Sequence, residues 1–178
     1  MDAPRVISDD YRRLQQALHD NPAYGVSSVA FAPLVKALVE RTGARTVMDY
    51  GAGKRRLRDE LVDRFGLPID YLAYDPAFPE YGPPRPADLV CCIDVLEHIE
   101  PDFLDAVLDE LAVITVRQGF FTVHTGPAKK ALADGRNAHL IQQPSAWWLE
   151  KLKDRFSIDH LHEPPGGFYV VVSPRKTG

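Results

Sequence analysis

A chain of 178 residues, 45% of them hydrophobic, has enough apolar material for one domain with a real core and is too short for two. Its net charge of −4 provides no global positive field for nucleic acid or an anionic membrane, and no apolar run approaches the roughly 20 residues a bilayer span needs. The start, Met1-Asp-Ala-Pro-Arg-Val, lacks the basic-then-apolar layout of a signal peptide, so a soluble, cytoplasmic protein is expected. Cys91 and Cys92 are adjacent within an apolar run, where a mutual disulfide would be badly strained, and both read as small core residues in a reducing compartment.

In chain order, Ser8 to about Asp20 opens with a cap signal and places Tyr11, Leu14 and Leu18 at helical spacing. After a break at Asn21–Gly25, Ser27-Ser28 can cap a second helix running to about Arg41, with Val29, Phe31, Leu34, Leu38 and Val39 as its apolar face. This pair is expected to pack against a sheet, with Tyr24-Gly25 the part closest to any ligand. A strand from about Arg45 to Tyr50 then delivers Gly51-Ala52-Gly53 to a helix from roughly Lys54 to Phe65, which Gly66 ends. Next come a strand over Ile69–Tyr74, ending in Asp75-Pro76, and a proline-rich connector, Ala77–Ala87, too rich in proline for a helix or central strand.

The run Asp88–Ile93 reads as a strand buried on both faces, with Asp94-Val-Leu-Glu-His-Ile at its C-terminal end. A helix over Pro101–Ile114, a strand over Gly119–His124 and a polar excursion to His139 follow. The end of the chain reads as a helix over Pro144–Phe156 and two strands, Ser157–His162 and Gly167–Ser173, whose short turn pairs them antiparallel. The alternation indicates a Rossmann-like α/β fold: a doubly wound, mostly parallel sheet with a C-terminal antiparallel hairpin, spanning residues 44–174 and preceded by two helices in 1–43, all in one domain.

Such a sheet binds ligands beyond the C-terminal ends of its strands, where the chemistry-bearing residues of this sequence collect. Gly51 and Gly53 allow the close backbone approach that a Cβ would forbid, and the helix start that follows would offer N–H groups to an anion. Asp75 lies 26 positions after Asp49, near the ~20-residue offset at which an acid ending the second strand accepts the hydroxyl protons of a ribose. A dinucleotide turn would need a third glycine where Arg56 stands, which weakens an NAD-dependent oxidoreductase reading.

Val47-Met-Asp49-Tyr-Gly51-Ala-Gly53, then Asp75, then Asp88-Leu-Val-Cys-Cys-Ile-Asp94-Val-Leu-Glu97-His98-Ile resembles, in that order, the class I S-adenosylmethionine-dependent methyltransferases. Within that superfamily the sequence resembles the D/E-V-L-E-H branch, which includes the ubiquinone-biosynthesis O-methyltransferases and the small-RNA 2′-O-methyltransferases. The resemblance implies an enzyme that binds S-adenosylmethionine through Asp49, Gly51, Ala52, Gly53, Asp75, Pro76 and Phe78, with Asp94 and Val95 beneath the reactive end. It also implies methyl transfer to O or N of a small-molecule acceptor. The connector is too short for the family's usual third, edge strand, so a six-stranded sheet is expected, with Asp88 or a backbone group left to meet the adenine amine.

In-line methyl transfer asks the protein to align the acceptor and remove its proton, for which His98, His139 and His124 are the catalytic candidates. The small-RNA enzymes hold a divalent ion with residues that match Asp94, Glu97, His98 and His139, so Mg, Mn or Zn is implied if the likeness extends that far. An RNA end is the alternative acceptor, and the basic run Lys54-Arg55-Arg56 with Arg58 is either its phosphate contact or a solvated face. A non-catalytic binding or regulatory module on the same fold is a further alternative. Trp147 and Trp148 read as core or interface residues, with stacking on a planar substrate as the other option.

Overall fold

The structure, a computed structural model, describes residues 5–175; residues 1–4 of the expected leaderless start, and residues 176–178, lie outside the described residues. Helix α1 (Asp9–His19) begins as read: the Ser8 hydroxyl accepts the Tyr11 N–H at 3.1 Å, and Asp9 and Asp10 occupy the positive end of the helix. Helix α2 (Ser27–Thr42) ends at Gly43 with φ 64°, but Val26 occupies its cap position without a side-chain bond, so Ser27 and Ser28 do not cap it. Its buried face is also rotated from the expected one. Ala32, Val35, Leu38 and Val39 are buried, while Val29 and Leu34 are exposed. Apolar residues such as Val29 and Leu34 stand outside its buried face too, so periodicity alone had more than one face to choose from.

Strand β1 (Thr46–Tyr50) is followed by helix α3 (Arg56–Arg58), which continues as a π-helical turn over Asp59–Arg64. The helix starts after Lys54 because Gly51, Gly53 and Arg55 all take positive φ (81°, 48° and 57°). Strands β2 (Asp70–Tyr74) and β3 (Ala87–Ile93) flank a connector that forms only a 3₁₀ turn, Pro79–Tyr81. A 3₁₀ turn, Pro101–Phe103, then leads into helix α4 (Leu104–Ile114), which passes directly into β4 (Thr115–His124), so that strand begins earlier than Gly119. Helix α5 (Ser145–Lys153) and strands β5 (Phe156–His162) and β6 (Gly167–Pro174) complete the described chain.

The six strands are ordered β2-β1-β3-β4-β6-β5, parallel from β2 to β4, with β6 antiparallel to both β4 and β5. The fold is therefore the Rossmann-like sheet with a terminal hairpin that the alternation predicts, with β2 at one edge. Because β2 lies on one side of β1 and β3 on the other, a crevice opens at the C-terminal end of β1, the switch point at which such sheets take ligands.

Each face of the sheet carries its own core. Cys91, with Val47, Leu57, Leu61 and Phe120, packs under α2 and α3. Cys92, with Met48, Leu108, Leu111, Phe121 and Trp148, packs under α4 and α5. The two thiols are free and buried on opposite faces, as strand alternation requires. Helix α1 joins neither layer: Ile7 and Tyr11 pack with Leu132 of the loop after β4, so the first helix covers the strand ends while the second packs on the sheet. The expectation that both helices would serve as packing holds for α2 alone.

Trp148 is fully buried and its indole nitrogen meets no acceptor among the described residues, so its contribution is packing. Trp148→Ala is expected to lower the unfolding free energy by about 3–5 kcal/mol in urea denaturation. Trp147→Ala, at a half-buried position covered by Lys151, should cost less than half as much; equal costs would contradict the packing described.

Candidate functional site

The end of β2 organises the turn after β1. Gly51 and Ala52 donate their N–H groups to the Tyr74 carbonyl at 2.8 and 2.9 Å. Asp75 then accepts the Gly53 N–H on one carboxylate oxygen (2.9 Å) and the Ala77 N–H on the other (2.8 Å). A Cβ on Gly51 would lie 2.4 Å from a Val95 methyl, and one on Gly53 would lie 2.7 Å from the His19 ring, so both glycines serve close approach as well as positive φ. The anion site expected at a helix start is instead a loop of left-handed residues, and the Gly53 N–H already belongs to Asp75. Burial raises the carboxyl of Asp75, against these two backbone bonds. Burial likewise pushes Asp49 up to about 7, although the Tyr71 hydroxyl donates to it.

These groups line a cavity of about 660 Å³, in the size range of small-molecule sites. Asp49, Gly51, Ala52, Gly53, Asp75, Pro76, Asp94 and Val95 line it, and so do His98, His124 and His139. Phe78 does not line it; its ring stacks on Tyr81 at 5.7 Å and meets the His19 ring edge-on. Asp88 sits at the opposite end of β3, where its carboxylate accepts the Arg45 and Thr46 N–H groups, so it cannot meet an adenine here. Trp147 and Trp148 lie away from the cavity, which leaves no stacking role for them in it.

Helix α1 closes the cavity from above. Arg12 and Gln16 donate to the carbonyls of Pro76 and Ala77 (3.0 and 2.8 Å), the Tyr11 hydroxyl donates to the His98 carbonyl, and the Ser8 N–H and hydroxyl donate to Glu100. Lys54 fastens the following loop through the carbonyls of Asn21 and Tyr24. Arg55 lies over the Tyr81 ring and Arg58 pairs with Asp63, so much of the basic run is committed within the fold. Sequence reasoning missed Tyr11, Gln15, His19 and Lys130 as lining residues; only Tyr24-Gly25 had signalled that this region would meet the site.

The polar end of the cavity is built around the close of β3. Asp94 takes a left-handed conformation (φ 52°), accepts the Thr122 hydroxyl at 2.5 Å and pairs with His124 Nε2 at 3.3 Å. Burial acts to raise its carboxyl, but hydrogen bonds from His124, Thr122 and Ser27 outweigh it and hold the group below its usual range. The bond to Asp94 in turn lifts His124 to about 9, so this imidazole is charged at neutral pH. Glu97 is fully buried; one oxygen accepts the backbone N–H of His124 at 2.9 Å and the other has no partner among the described residues, and burial next to Asp94 lifts it to about 8.

His98 Nδ1 lies 2.8 Å from the Ala138 carbonyl and His139 Nδ1 lies 2.7 Å from the Gly126 carbonyl. A carbonyl only accepts, so both Nδ1 atoms carry a proton, and in the neutral form of either ring the lone pair lies on Nε2. Burial, with His139 adjacent, pushes His98 down to about 4. His139 is central among the three imidazoles, with ring centres 4.8 Å from His98 and 5.6 Å from His124. Donor atoms of Glu97, His98 and His139 lie within 4.8 Å of one another, whereas Asp94 groups with Glu97 and His124. Three of the four expected ligands, Glu97, His98 and His139, thus come together, while Asp94 groups with Glu97 and with His124, which was not among the four.

Comparison of the sequence with protein-family models and with curated proteins finds no match. Solved structures do match. A 1,6-didemethyltoxoflavin-N1-methyltransferase from Burkholderia thailandensis, with 1,6-didemethyltoxoflavin and S-adenosylhomocysteine bound, aligns over 99% of this chain and 94% of its own, with TM-score 0.67 and 16% identity. The magnesium protoporphyrin IX methyltransferase of Synechocystis PCC 6803, with bound S-adenosylhomocysteine, aligns over 94% and 95% (TM-score 0.56, 14% identity). The mitomycin 7-O-methyltransferase MmcR aligns over 91% of this chain, which spans 60% of that longer one (TM-score 0.63, 17% identity). At these identities the likeness shows a shared fold, that of S-adenosylmethionine-dependent methyltransferases.

Asp49 titrates where folding favours the protonated acid. Because its folded value, about 7, lies above the ordinary 3.8, its contribution to stability is complete below pH 3.8 and is lost as pH rises through about 7. In the ligand-free protein the urea midpoint should fall across that window, and Asp49→Asn should flatten part of the fall. An unchanged pH slope in the variant would contradict the buried acid.

Proposed function

We propose that the chain is an S-adenosylmethionine-dependent methyltransferase that acts on O or N of a small-molecule acceptor. The observation that carries the reading is the convergence, on one cavity, of the Gly51–Gly53 turn, Asp75 and Asp94–Val95, together with three histidines. Asp75 keeps unused lone pairs on both oxygens beyond its two backbone bonds, which suits it to accept the ribose hydroxyls. Val95, pressed against Gly51, would form the floor beneath the sulfonium, and Pro76 would lie along the adenosine. Phe78 is not part of this proposal, since it lies outside the cavity lining.

The proton-accepting role falls to His139. His124 is charged through its bond to Asp94 and holds the polar end electrostatically, and burial makes His98 a weak base. His139, its ring held through Nδ1 by the Gly126 carbonyl, directs Nε2 as the proton-accepting atom between them, and the cavity that all three line would align acceptor and methyl donor. The same reading takes the resemblance at Asp94-Val-Leu-Glu97-His98 as support for kinship with the D/E-V-L-E-H branch, and takes residues 1–178 as a single domain working in the cytoplasm.

A metal-assisted reading is favoured by one observation. Glu97 has an unpartnered buried oxygen beside two imidazoles whose outer nitrogens are already given to backbone carbonyls, the arrangement in which histidines hold metals. Glu97, His98 and His139 would hold Mg, Mn or Zn, and such an ion would polarise an acceptor hydroxyl. Asp94, engaged with Thr122 and His124, does not join them. An RNA 2′-hydroxyl as acceptor is less well supported, because α1 covers the cavity and much of the basic run has internal partners. The convergent histidines also count against a non-catalytic module.

S-adenosylhomocysteine is expected to bind in calorimetry, and Asp75→Ala to weaken it at least tenfold; no binding to the parent chain would end the reading. After equilibration with Zn²⁺ or Mn²⁺ and gel filtration, elemental analysis should find metal on the parent chain and little on Glu97→Ala or His98→Ala. Equal metal content in all three would remove the metal site while leaving the methyl donor site intact.

A further inference from the structure

Tyr11, Tyr24 and Tyr50 line the cavity, and two of their hydroxyls are committed: Tyr11 donates to the His98 carbonyl and Tyr50 to Glu110 at 2.5 Å. The Tyr24 hydroxyl has no hydrogen-bond partner among the described residues and is not sealed inside the protein, so it opens on the cavity. Burial, with the Glu97 and Asp75 carboxyls near enough to add to it, raises this phenol above its usual range and keeps its proton on the oxygen. The backbone that carries the ring is tied to the glycine turn. Lys54, next after Gly53, donates to the carbonyls of Asn21 and Tyr24, and the Tyr24 N–H closes a turn on the Asn21 carbonyl at 3.1 Å. Lys130 Nζ, itself shielded, lies over the ring 5.6 Å from its centre, so one face is covered and the hydroxyl is what the ring offers a ligand.

Tyr24 also belongs to a row of cavity-lining rings that joins the two ends of the site. His19 packs on Gly53, where a Cβ would come within 2.7 Å of its ring. From there the ring centres are spaced 5.0 Å to Tyr24, 6.2 Å on to His98, 4.8 Å to His139 and 5.6 Å to His124, which pairs with Asp94. Tyr24 therefore stands between the ring on the glycine turn and the histidines at the polar end. The carbon that moves in a methyl transfer lies between the sulfur that releases it and the acceptor that takes it, hence between these same two groups. We propose that Tyr24 Oη is the atom that meets the transferred methyl group, which makes Tyr24 a specificity-determining residue for the charged methyl donor. This deepens the methyltransferase reading and rests on it. A neutral phenol oxygen keeps lone pairs for a positively charged neighbour, and the sulfonium methyl carries positive charge that S-adenosylhomocysteine lacks. The contact thus favours the methyl donor over the product it becomes. The rival role for the hydroxyl is a bond to the methionine or adenosine part of the cofactor, and the experiment separates the two.

Sinefungin, in which a carbon bearing an ammonium group replaces the sulfur and its methyl, puts positive charge and N–H donors where the methyl sits. S-adenosylhomocysteine leaves that place empty. Both are titrated by calorimetry into the parent chain and into Tyr24→Phe, which removes one oxygen and keeps the row of rings. The parent should bind sinefungin about tenfold more tightly than S-adenosylhomocysteine, and Tyr24→Phe should bind the two alike, with its S-adenosylhomocysteine affinity within about twofold of the parent's. If the parent binds no S-adenosylhomocysteine, the methyltransferase reading falls and this proposal falls with it. If the parent binds S-adenosylhomocysteine but shows no preference for sinefungin, or if Tyr24→Phe keeps the preference, the assignment of Tyr24 is overturned and the methyltransferase reading stands. An equal loss of both ligands in Tyr24→Phe would also overturn it, by giving the hydroxyl to the methionine or adenosine part of the cofactor.

Discussion

The carboxylate of Asp75 joins the two halves of the crevice. It accepts the N–H of Gly53 from the turn after β1 and the N–H of Ala77 from the connector after β2, while the carbonyl just before it, Tyr74, takes the N–H groups of Gly51 and Ala52. Hydrogen bonds to a charged group contribute about 1.5–3 kcal/mol each, enough to hold a loop with three left-handed residues in one conformation. The same loop sets the distance between Gly51 and Val95, and so couples the β1 turn to the end of β3.

The lid and the polar wall depend on that frame and on each other. Helix α1 binds the carbonyls of Pro76 and Ala77 immediately after Asp75, and Tyr11 binds the carbonyl of His98. The loop after β4 is held to α1 by Leu132 and to the β3 end by the bond between His98 and Ala138. Its carbonyl at Gly126 fixes the ring of His139. The three histidines therefore end in different states for local reasons. His124 is charged by Asp94, His98 is kept neutral by burial, and His139 is oriented between them.

The succession of strands and the end of the sheet at which the cavity lies were legible because they rest on local patterns. Short apolar runs ending in Gly51, Asp75 and Asp94 gave both the strands and the side of the sheet on which chemistry gathers, and the proline content of the connector removed a strand. The face of α2 was not legible, because Val29 and Leu34 put apolar side chains on its outward positions as well as its inward ones. The lid role of α1 was hidden for another reason: its partners, Pro76, Ala77, His98 and Leu132, are distant in sequence, and helical spacing reports only that a helix has an apolar side. The start of α3 was misplaced because the left-handed conformation of Arg55 follows from the geometry of the turn and has no signature in an arginine. Lys130 lies in a polar loop where a lysine ordinarily means solvent, and only the fold turns it toward Tyr24.

The central claim is that this crevice holds an adenosyl sulfonium cofactor, and the most direct measurement is a crystal structure of the chain with S-adenosylhomocysteine. The account predicts ribose hydroxyls within hydrogen-bond distance of Asp75, the cofactor sulfur over Val95, and His139 across the space beyond it. Density for the ligand outside the crevice, or inside it with the ribose away from Asp75, would contradict the account.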